Sequence, residues 1–454
     1  MEIIRNSDFN VINILGLPRV NRGEQKRIIK NKICYETDNG LVILNSLTRA
    51  IVFIENDEFD KLDDIIKYEF LYKNYFLVDL DFNEWEAFEK VKNNLRKPFD
   101  DLYLNYPNSF TIITTTKCNA RCGYCYELNL KKKRHMSKET AKKIADYILN
   151  FSPPGPVNIG WFGGEPLYNA KVINIICDYL REHDKMFYST IATNGYLFDE
   201  QLVKKAKIYW NLTQAQITLD GIEDVYNNTK RYIYKNSLSP YKKVINSIKL
   251  LLKENIKVEI RMNIDNNNVE NHKILINEIY NIFGSNNPKL TLYIYPIFEE
   301  NSTRTEEDNI KLYNSLKDLD KLITNLGYAP AKVPTSYIQY NQCMCDNGQS
   351  VLIGIDGDLG LCEHFPDSNF FSNINNPLEK NDKEILKYKT YINTKELCDG
   401  CPILGDCPSL SGCFDFSTCT DYKKDWRIES YKLGLKFIYE NYLKNKFSKN
   451  NENN

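Results

Sequence analysis

Between residues 110 and 326, strand-like apolar runs alternate with amphipathic stretches in strict order. The candidate strands are FTIITTT, VNIGWF, YSTIAT, AQITLD, KVEIRMNID and KLTLYIYPIF. Helical periodicity fills 137–150, 170–183, 199–208, 240–254 and 269–283, and a further helix over 306–326 follows the last strand. Parallel strands need long crossovers, and a helix between successive strands supplies them. The pattern therefore predicts a parallel sheet, either a partial (β/α) barrel or an open doubly wound sheet. Two strands add information. In KVEIRMNID, Val258, Ile260, Met262 and Ile264 share one face, and Glu259, Arg261, Asn263 and Asp265 share the other. AQITLD likewise separates Ala215, Ile217 and Leu219 from Gln216, Thr218 and Asp220. A filled barrel wants an apolar inner face, so two mid-series strands with a polar face predict a polar cavity.

Segments on either side read differently. Residues 1–100 form a small separate unit of short strands and helices, with a hairpin signal at Asn39-Gly40, a capping-box spacing at Asp81 and Glu84, and Pro98 closing it. Residues 329–420 carry little periodicity and most of the cysteine. An amphipathic helix over 421–446 precedes a polar, disordered tail, so that 421–454 is a helix plus tail. Lys+Arg 59 against Asp+Glu 60 leaves a net charge of -1, which gives no electrostatic footprint for nucleic acid or anionic lipid. The N-terminus lacks a basic segment followed by a long apolar one, and no run approaches the ~20 apolar residues of a membrane span. The expected compartment is the cytoplasm. Thirteen cysteines in a reducing compartment point to metal binding or catalysis rather than disulfides.

Their placement is uneven. TTTKCNARCGYCYE packs Cys118, Cys122 and Cys125 onto one loop after the first strand of the series. That is the C-terminal face, where such folds place their chemistry. Three thiolates there can hold three irons of a cubane [4Fe–4S] cluster and leave the fourth open. A zinc knuckle completed by a distant residue, or simple reduced thiols, would also fit the loop alone. Eight further cysteines lie between 343 and 419, while Cys34 and Cys177 sit alone in apolar stretches.

CxxxCxxC with an aromatic residue, Tyr124, before its last cysteine resembles the signature of radical S-adenosylmethionine (radical SAM) enzymes. GGEP at 163–166 ends the second strand, ATNG the third and LDG the fourth, all at the same rim. The resemblance implies that Gly163, Gly164 and Glu165 bind the methionyl amine and that Thr193 and Asn194 line the cofactor. It also implies that Arg261 and Asn263 reach its carboxylate and ribose, with Tyr295 on the adenine side. Two glycines allow close backbone approach to a ligand. Asp220 is a polar residue suited to orienting the rim. The implied chemistry is reductive cleavage of S-adenosylmethionine to a 5′-deoxyadenosyl radical that abstracts a hydrogen, so the scarcity of histidine is unsurprising.

Gly357-x4-Cys362 followed by C-x2-C-x5-C resembles the SPASM domain of radical enzymes that modify peptides. The resemblance implies two auxiliary [4Fe–4S] clusters, one on Cys343, Cys345, Cys362 and Cys413, the other on Cys398, Cys401, Cys407 and Cys419. Only Met344 separates the first two cysteines, and if Cys343 does not ligate, that cluster keeps an open iron. Zinc at the C-x2-C pair is the alternative. Together these readings give an α/β chain: a winged-helix-like module (1–100) that captures a leader peptide, a partial (β/α)6 TIM-type barrel (108–328), a SPASM domain (329–420) and the C-terminal segment. The expected function is maturation of a ribosomally made precursor peptide, with a thioether or other crosslink. The expected electron source is a flavodoxin or ferredoxin. The alternatives are an anaerobic sulfatase-maturating enzyme that oxidises Cys or Ser, and a non-catalytic iron–sulfur or zinc protein.

Overall fold

A computed structural model describes residues 1–18, 26–58, 65–101, 104–130, 133–234, 238–297, 304–338, 343–365, 368–390, 392–407, 413 and 418–452. The chain divides into two compact units. Unit 1 comprises Met1–Asp101, Ala329–Gln342 and Tyr391–Asn454, and unit 2 comprises Leu102–Tyr328 and Cys343–Thr390. This differs from the four consecutive segments expected. The cysteine-rich region is split, and its second half belongs with the N-terminal residues.

The first elements of unit 1 are β1 (Glu2–Arg5), α1 (Phe9–Leu15), β2 (Lys26–Ile28), β3 (Lys32–Thr37), β4 (Gly40–Asn45), β5 (Ile51–Glu55), α2 (Ile65–Lys73), β6 (Leu77–Asp79) and α3 (Glu84–Asp101). Strands β1, β5, β4 and β3 form an antiparallel sheet in that order, and β2 pairs with β6. The hairpin pairs Thr37 with Gly40, so Asp38 and Asn39 form its loop and Gly40 already belongs to β4. Gly40 is required there because a Cβ would lie 2.2 Å from the Ile54 carbonyl oxygen of the neighbouring strand. The cap of α3 is Asn83, not Asp81: the Asn83 side-chain oxygen accepts from Glu86 N at 3.2 Å. Helix α3 also continues through Pro98 to Asp101.

Unit 2 holds β7 (Ser109–Thr115), α4 (Lys138–Phe151), β8 (Val157–Gly163), α5 (Ala170–Glu182), β9 (Phe187–Thr193), α6 (Glu200–Tyr209) and β10 (Leu212–Thr218). There follow α7 (Glu223–Lys230), α8 (Pro240–Lys253), β11 (Lys257–Ile264), α9 (Val269–Phe283), β12 (Leu290–Pro296) and α10 (Glu306–Asn325). Strands β7 to β12 are parallel and lie side by side in chain order. A doubly wound sheet reverses its strand order at a switch point. Unbroken sequential order is that of a barrel segment. At the β7 edge the sheet is extended by β13 (Ser350–Ile353), parallel to β7, and then by β14 (Asp358–Gly360) and β15 (Ser372–Asn373), both antiparallel. The short α11 (Asp382–Leu386) completes the unit. The split faces hold. Val258, Ile260, Met262 and Ile264 are buried, whereas Glu259 and Arg261 are half-buried and Glu259 accepts a hydrogen bond from Gln216 of β10.

The chain ends in unit 1 with α12 (Lys395–Cys398) and α13 (Asp421–Glu452). The helix outruns its expected end at 446 and takes in most of the segment expected to be a disordered tail. Lys446 there pairs with Glu2 at 2.5 Å. On one face of the unit 1 sheet, Val42, Leu44 and Ile51 pack with Ile403 and with Tyr431 and Leu435 of α13. On the other, Ile43, Val52 and Ile54 pack with Leu71, Tyr72 and Phe76. A third cluster joins Val11, Ile29, Phe88 and Val91 to Leu404, with Cys398 and Cys401 against it. The Arg49 guanidinium, fully buried, meets the Asp406 carboxylate at 2.7 Å.

Candidate functional site

The C-terminal ends of β7 to β10 place their following residues at one rim, because parallel strands in sequential order all end on the same side. After β7 comes the loop with Cys118, Cys122 and Cys125, none of which forms a disulfide. It is tied internally by Cys125 N donating to Cys122 O at 3.2 Å and by Ala120 N donating to Cys118 Sγ at 3.4 Å. The Arg121 side chain donates to the carbonyls of Cys118 and Ala120, each at 2.7 Å. Burial, reinforced by the Glu165 carboxylate, pushes the Cys118 thiol up to about 12. Burial, with Glu127 beside it, pushes Cys125 up to about 11. Cys118 and Cys125 therefore stay protonated unless a cation replaces their protons.

The glycines after β8 serve the chain itself. A Cβ at Gly163, whose φ is +122, would lie 2.2 Å from Thr115 O. One at Gly164 would lie 2.6 Å from Lys117 O and 3.3 Å from Cys118 Cβ. The expected close approach is thus first of all to the backbone leading into the cysteine loop. Glu165 is wholly buried, and its carboxylate accepts from Leu167 N (3.1 Å), Thr193 Oγ1 (2.7 Å) and Asn194 N (2.8 Å). It ties the end of β8 to the end of β9. Burial raises its carboxyl to about 7, against those three hydrogen bonds, which hold it down. The Asn194 amide donates to Asn119 Oδ1 at 2.7 Å and lies 3.9 Å from Cys118 Sγ, so the ATNG turn also supports the cysteine loop.

Tyr124, Asp220 and Asn263 meet in one buried network. The Tyr124 hydroxyl donates to Asp220, and the Asn263 amide donates to Asp220 Oδ1 at 3.0 Å. Arg261 Nε donates to Asn263 Oδ1 at 3.1 Å, and the guanidinium lies over the rings of Tyr293 and Tyr295. Asp220 thus ties Tyr124 to Asn263, and Asn263 spends its amide inside the protein. Sequence reasoning missed Lys230 at the end of α7. Its ammonium is buried, pairs with Asp220 at 2.7 Å and donates to the Tyr124 hydroxyl at 2.8 Å. Nothing in the run YNNTKRYIY sets that lysine apart from a surface one.

The later cysteines fall in both units. In unit 2, Cys345 lies within hydrogen-bond reach of both Cys343 and Cys362. Tyr126, just after the first cysteine loop, stacks on His364 at 4.8 Å and donates to Glu363 O at 3.3 Å, so the segment after Cys362 is pinned to that loop. In unit 1, Cys398, Cys401, Cys407 and Cys419 line one cavity, together with Lys423, Lys424 and Arg427 of α13. Cys413 also belongs to unit 1, while the other three members of its expected set belong to unit 2. Among the described residues, no three Cys, His, Asp or Glu side chains have the spacing for a single metal ion.

The model of the Radical SAM superfamily matches residues 112–276, which run from β7 through the cysteine loop into α9. The chain carries a radical SAM domain. The site fits that chemistry: the domain gathers three thiols on one loop and backs them with donors at Ala120 and Asn194. Over 280 residues the chain is 26% identical to the uncharacterized protein MJ0907 of Methanocaldococcus jannaschii, covering 61% of this chain and 91% of that one. It is 25% identical to the radical SAM cyclopropyl synthase TigE of Paramaledivibacter caminithermalis over 47% of this chain, and spans only 46% of that relative. Among solved structures, anSMEcpe with bound AdoMet superposes at a TM-score of 0.55 and 19% identity, over 74% of this chain and 99% of that one. Streptococcus suis SuiB bound to the precursor peptide SuiA gives 0.50 and 14%, over 86% and 96%. Both structural likenesses concern the fold.

Proposed function

We propose that this radical SAM enzyme is a peptide maturase, acting on a ribosomally made precursor peptide and forming a thioether or other crosslink. When bound, a [4Fe–4S] cluster and S-adenosylmethionine supply one-electron cleavage of the sulfonium and a carbon radical able to take an unactivated hydrogen. Cys118, Cys122 and Cys125 hold the iron. Gly163, Gly164 and Glu165 shape the floor beside Cys118, and the polar face of β10 and β11 lines the chamber. The observation that carries the peptide reading is the company kept by the second cysteine field. Cys398, Cys401, Cys407 and Cys419 line one cavity in the same unit as a four-stranded antiparallel sheet. Such a sheet suits leader capture by strand addition at an edge, which is the role of the winged-helix-like module in this reading. SuiB, whose structure holds a precursor peptide, and TigE, a cyclopropyl synthase, are consistent with it.

In this reading Cys343, Cys345 and Cys362 serve one auxiliary cluster, and Cys398, Cys401, Cys407 and Cys419 a second. A flavodoxin or ferredoxin in the cytoplasm supplies electrons. The test is anaerobic reconstitution followed by incubation with candidate precursor peptides and mass spectrometry of the products. A leader-dependent loss of hydrogen mass from the core peptide is expected. Modification of a sulfatase peptide alone would instead make it a sulfatase-maturating enzyme. C118A/C122A/C125A is expected to lose one cluster's share of iron and all deoxyadenosine formation. Unchanged deoxyadenosine in that variant would refute the assignment of the first loop.

A further inference from the structure

The chain segment just beyond α7 runs along the cysteine loop. Arg121 N donates to Lys230 O at 2.8 Å, and Ile233 N donates to Asn119 O at 2.9 Å. These two bonds pin the backbone between Cys118 and Cys122. The Lys230 side chain reaches the other half of the loop through the Tyr124 hydroxyl, between Cys122 and Cys125. One residue thus grips both halves, by its carbonyl and by its ammonium.

The grip carries charge. Lys230 and Asp220 side chains are 3% and 2% exposed, so their pairing is hardly screened by solvent. Burial alone would push the ammonium towards neutrality, but Asp220 and then Tyr124 outweigh it and raise it well above its ordinary value. Burial likewise works against the Asp220 carboxylate, and Lys230 together with the Tyr124 hydroxyl and His272 more than reverses it. The pair is ionised. Asp220 is held in place by Asn263 through both the backbone N–H (3.2 Å) and the amide (3.0 Å), so neither charge is mobile.

We propose that Lys230 is a positioning residue for the cysteine loop and that its ammonium and the Asp220 carboxylate act in opposite directions on the reduction potential of the cluster that loop holds. The inference rests on Cys118, Cys122 and Cys125 being cluster ligands. A buried positive charge beside a cluster favours its reduced, more negative form, and a buried negative charge opposes it. Removing Lys230 strips the cation and leaves Asp220 bare. Removing Asp220 does the reverse.

The experiment is a redox titration of the full-length reconstituted enzyme, followed by electron paramagnetic resonance. The relevant cluster is recognised as the one whose signal changes on adding S-adenosylmethionine, and iron per chain is measured alongside. K230M is expected to shift that potential negative and D220N to shift it positive. K230M/D220N, with both charges gone, is expected near wild type. A role confined to holding the loop's shape would move the two single variants in the same direction or not at all, and that result overturns the proposal. Where one single variant takes up no iron, the other decides: a shift of the stated sign supports the proposal, and a potential at the wild-type value or a shift of the opposite sign refutes it. Failure of the cluster assignment itself reads out separately, as iron content unchanged by C118A/C122A/C125A.

Discussion

The two cysteine loops are backed by different surroundings. In unit 2 the loop of Cys118, Cys122 and Cys125 rests on polar groups: Asn119 and Asn194, Glu165 braced by Thr193, and the network of Tyr124, Asp220, Lys230 and Asn263. In unit 1, Cys398 and Cys401 lie against apolar side chains of α1, α3 and the strands, and one ion pair, Arg49 with Asp406, is buried among them. A polar cradle places fixed charges beside the sulfurs and so acts on their electronics. The apolar side chains behind Cys398 and Cys401 make their placement depend on the folding of the whole unit, while Lys423, Lys424 and Arg427 line the same cavity. In unit 1, Asn31 donates to Cys401 O at 2.9 Å and Ser46 donates to Pro402 O, so the turn before β3 and the turn after β4 hold the C-x2-C loop directly.

The comparison breaks most sharply at Arg49. Its φ of 68 puts it in the left-handed region, and its side chain also donates to Thr335 O at 3.2 Å. Arg49→Met leaves the Asp406 carboxylate bare in a dry interior. Loss of one partner of a buried pair costs about 3–5 kcal/mol. Urea unfolding, together with faster hydrogen exchange in β3 to β5, is expected to show a loss of this size. R49M/D406L, which removes both charges, is expected to recover most of it. Equal losses in the two variants would mean that shape, not charge, holds this loop.

A smaller effect is expected at Gly164 in unit 2. Gly164→Ala puts a methyl 2.6 Å from Lys117 O, next to Cys118. Such overpacking costs about 1–3 kcal/mol, and the backbone that must yield is the one entering the cysteine loop. Iron bound at the first loop is therefore expected to fall in G164A while any held by Cys398, Cys401, Cys407 and Cys419 is retained. Iron analysis of G164A in the C118A/C122A/C125A background checks the direction: there the glycine substitution is expected to change nothing further.

The barrel segment was legible because strand and helix periods are local, and because the rim motifs stand at successive strand ends. The polar faces of β10 and β11 were legible for the same reason. The pairing of the second cysteine half with residues 1–101 was not, since it rests on contacts such as Arg49 with Asp406 that no local pattern announces. The roles of particular polar residues were only half legible. Glu165 and Asn263 stand where the motifs put them, yet their side chains are engaged by Thr193, Asn194 and Asp220. Lys230 was silent because burial is a tertiary property: a lysine ending a helix looks the same on a surface as in a core. The hairpin turn and the cap of α3 were each placed one or two residues away, within the usual scatter of element ends.

That last displacement makes the finest test of the apolar cradle. Asn83 accepts from Glu86 N and its amide donates to Glu86 Oε1 at 2.6 Å, so it satisfies one of the orphan donors of α3. Asp81 lies outside that exchange, although its spacing from Glu84 matched a capping box. Glu84 instead turns its carboxylate to Lys30 N and Asn31 N, the same stretch that holds Cys401. Asn83→Ala is expected to cost about 1 kcal/mol in urea unfolding, and Asp81→Ala to cost far less. Phe88 and Val91 of α3 pack in the cluster that Cys398 and Cys401 join. Fraying of the helix in N83A should therefore raise the thiol reactivity of those two cysteines in the iron-free protein and leave that of Cys118 unchanged. Equal gains at both loops would show that the two cradles are not held apart by the means described.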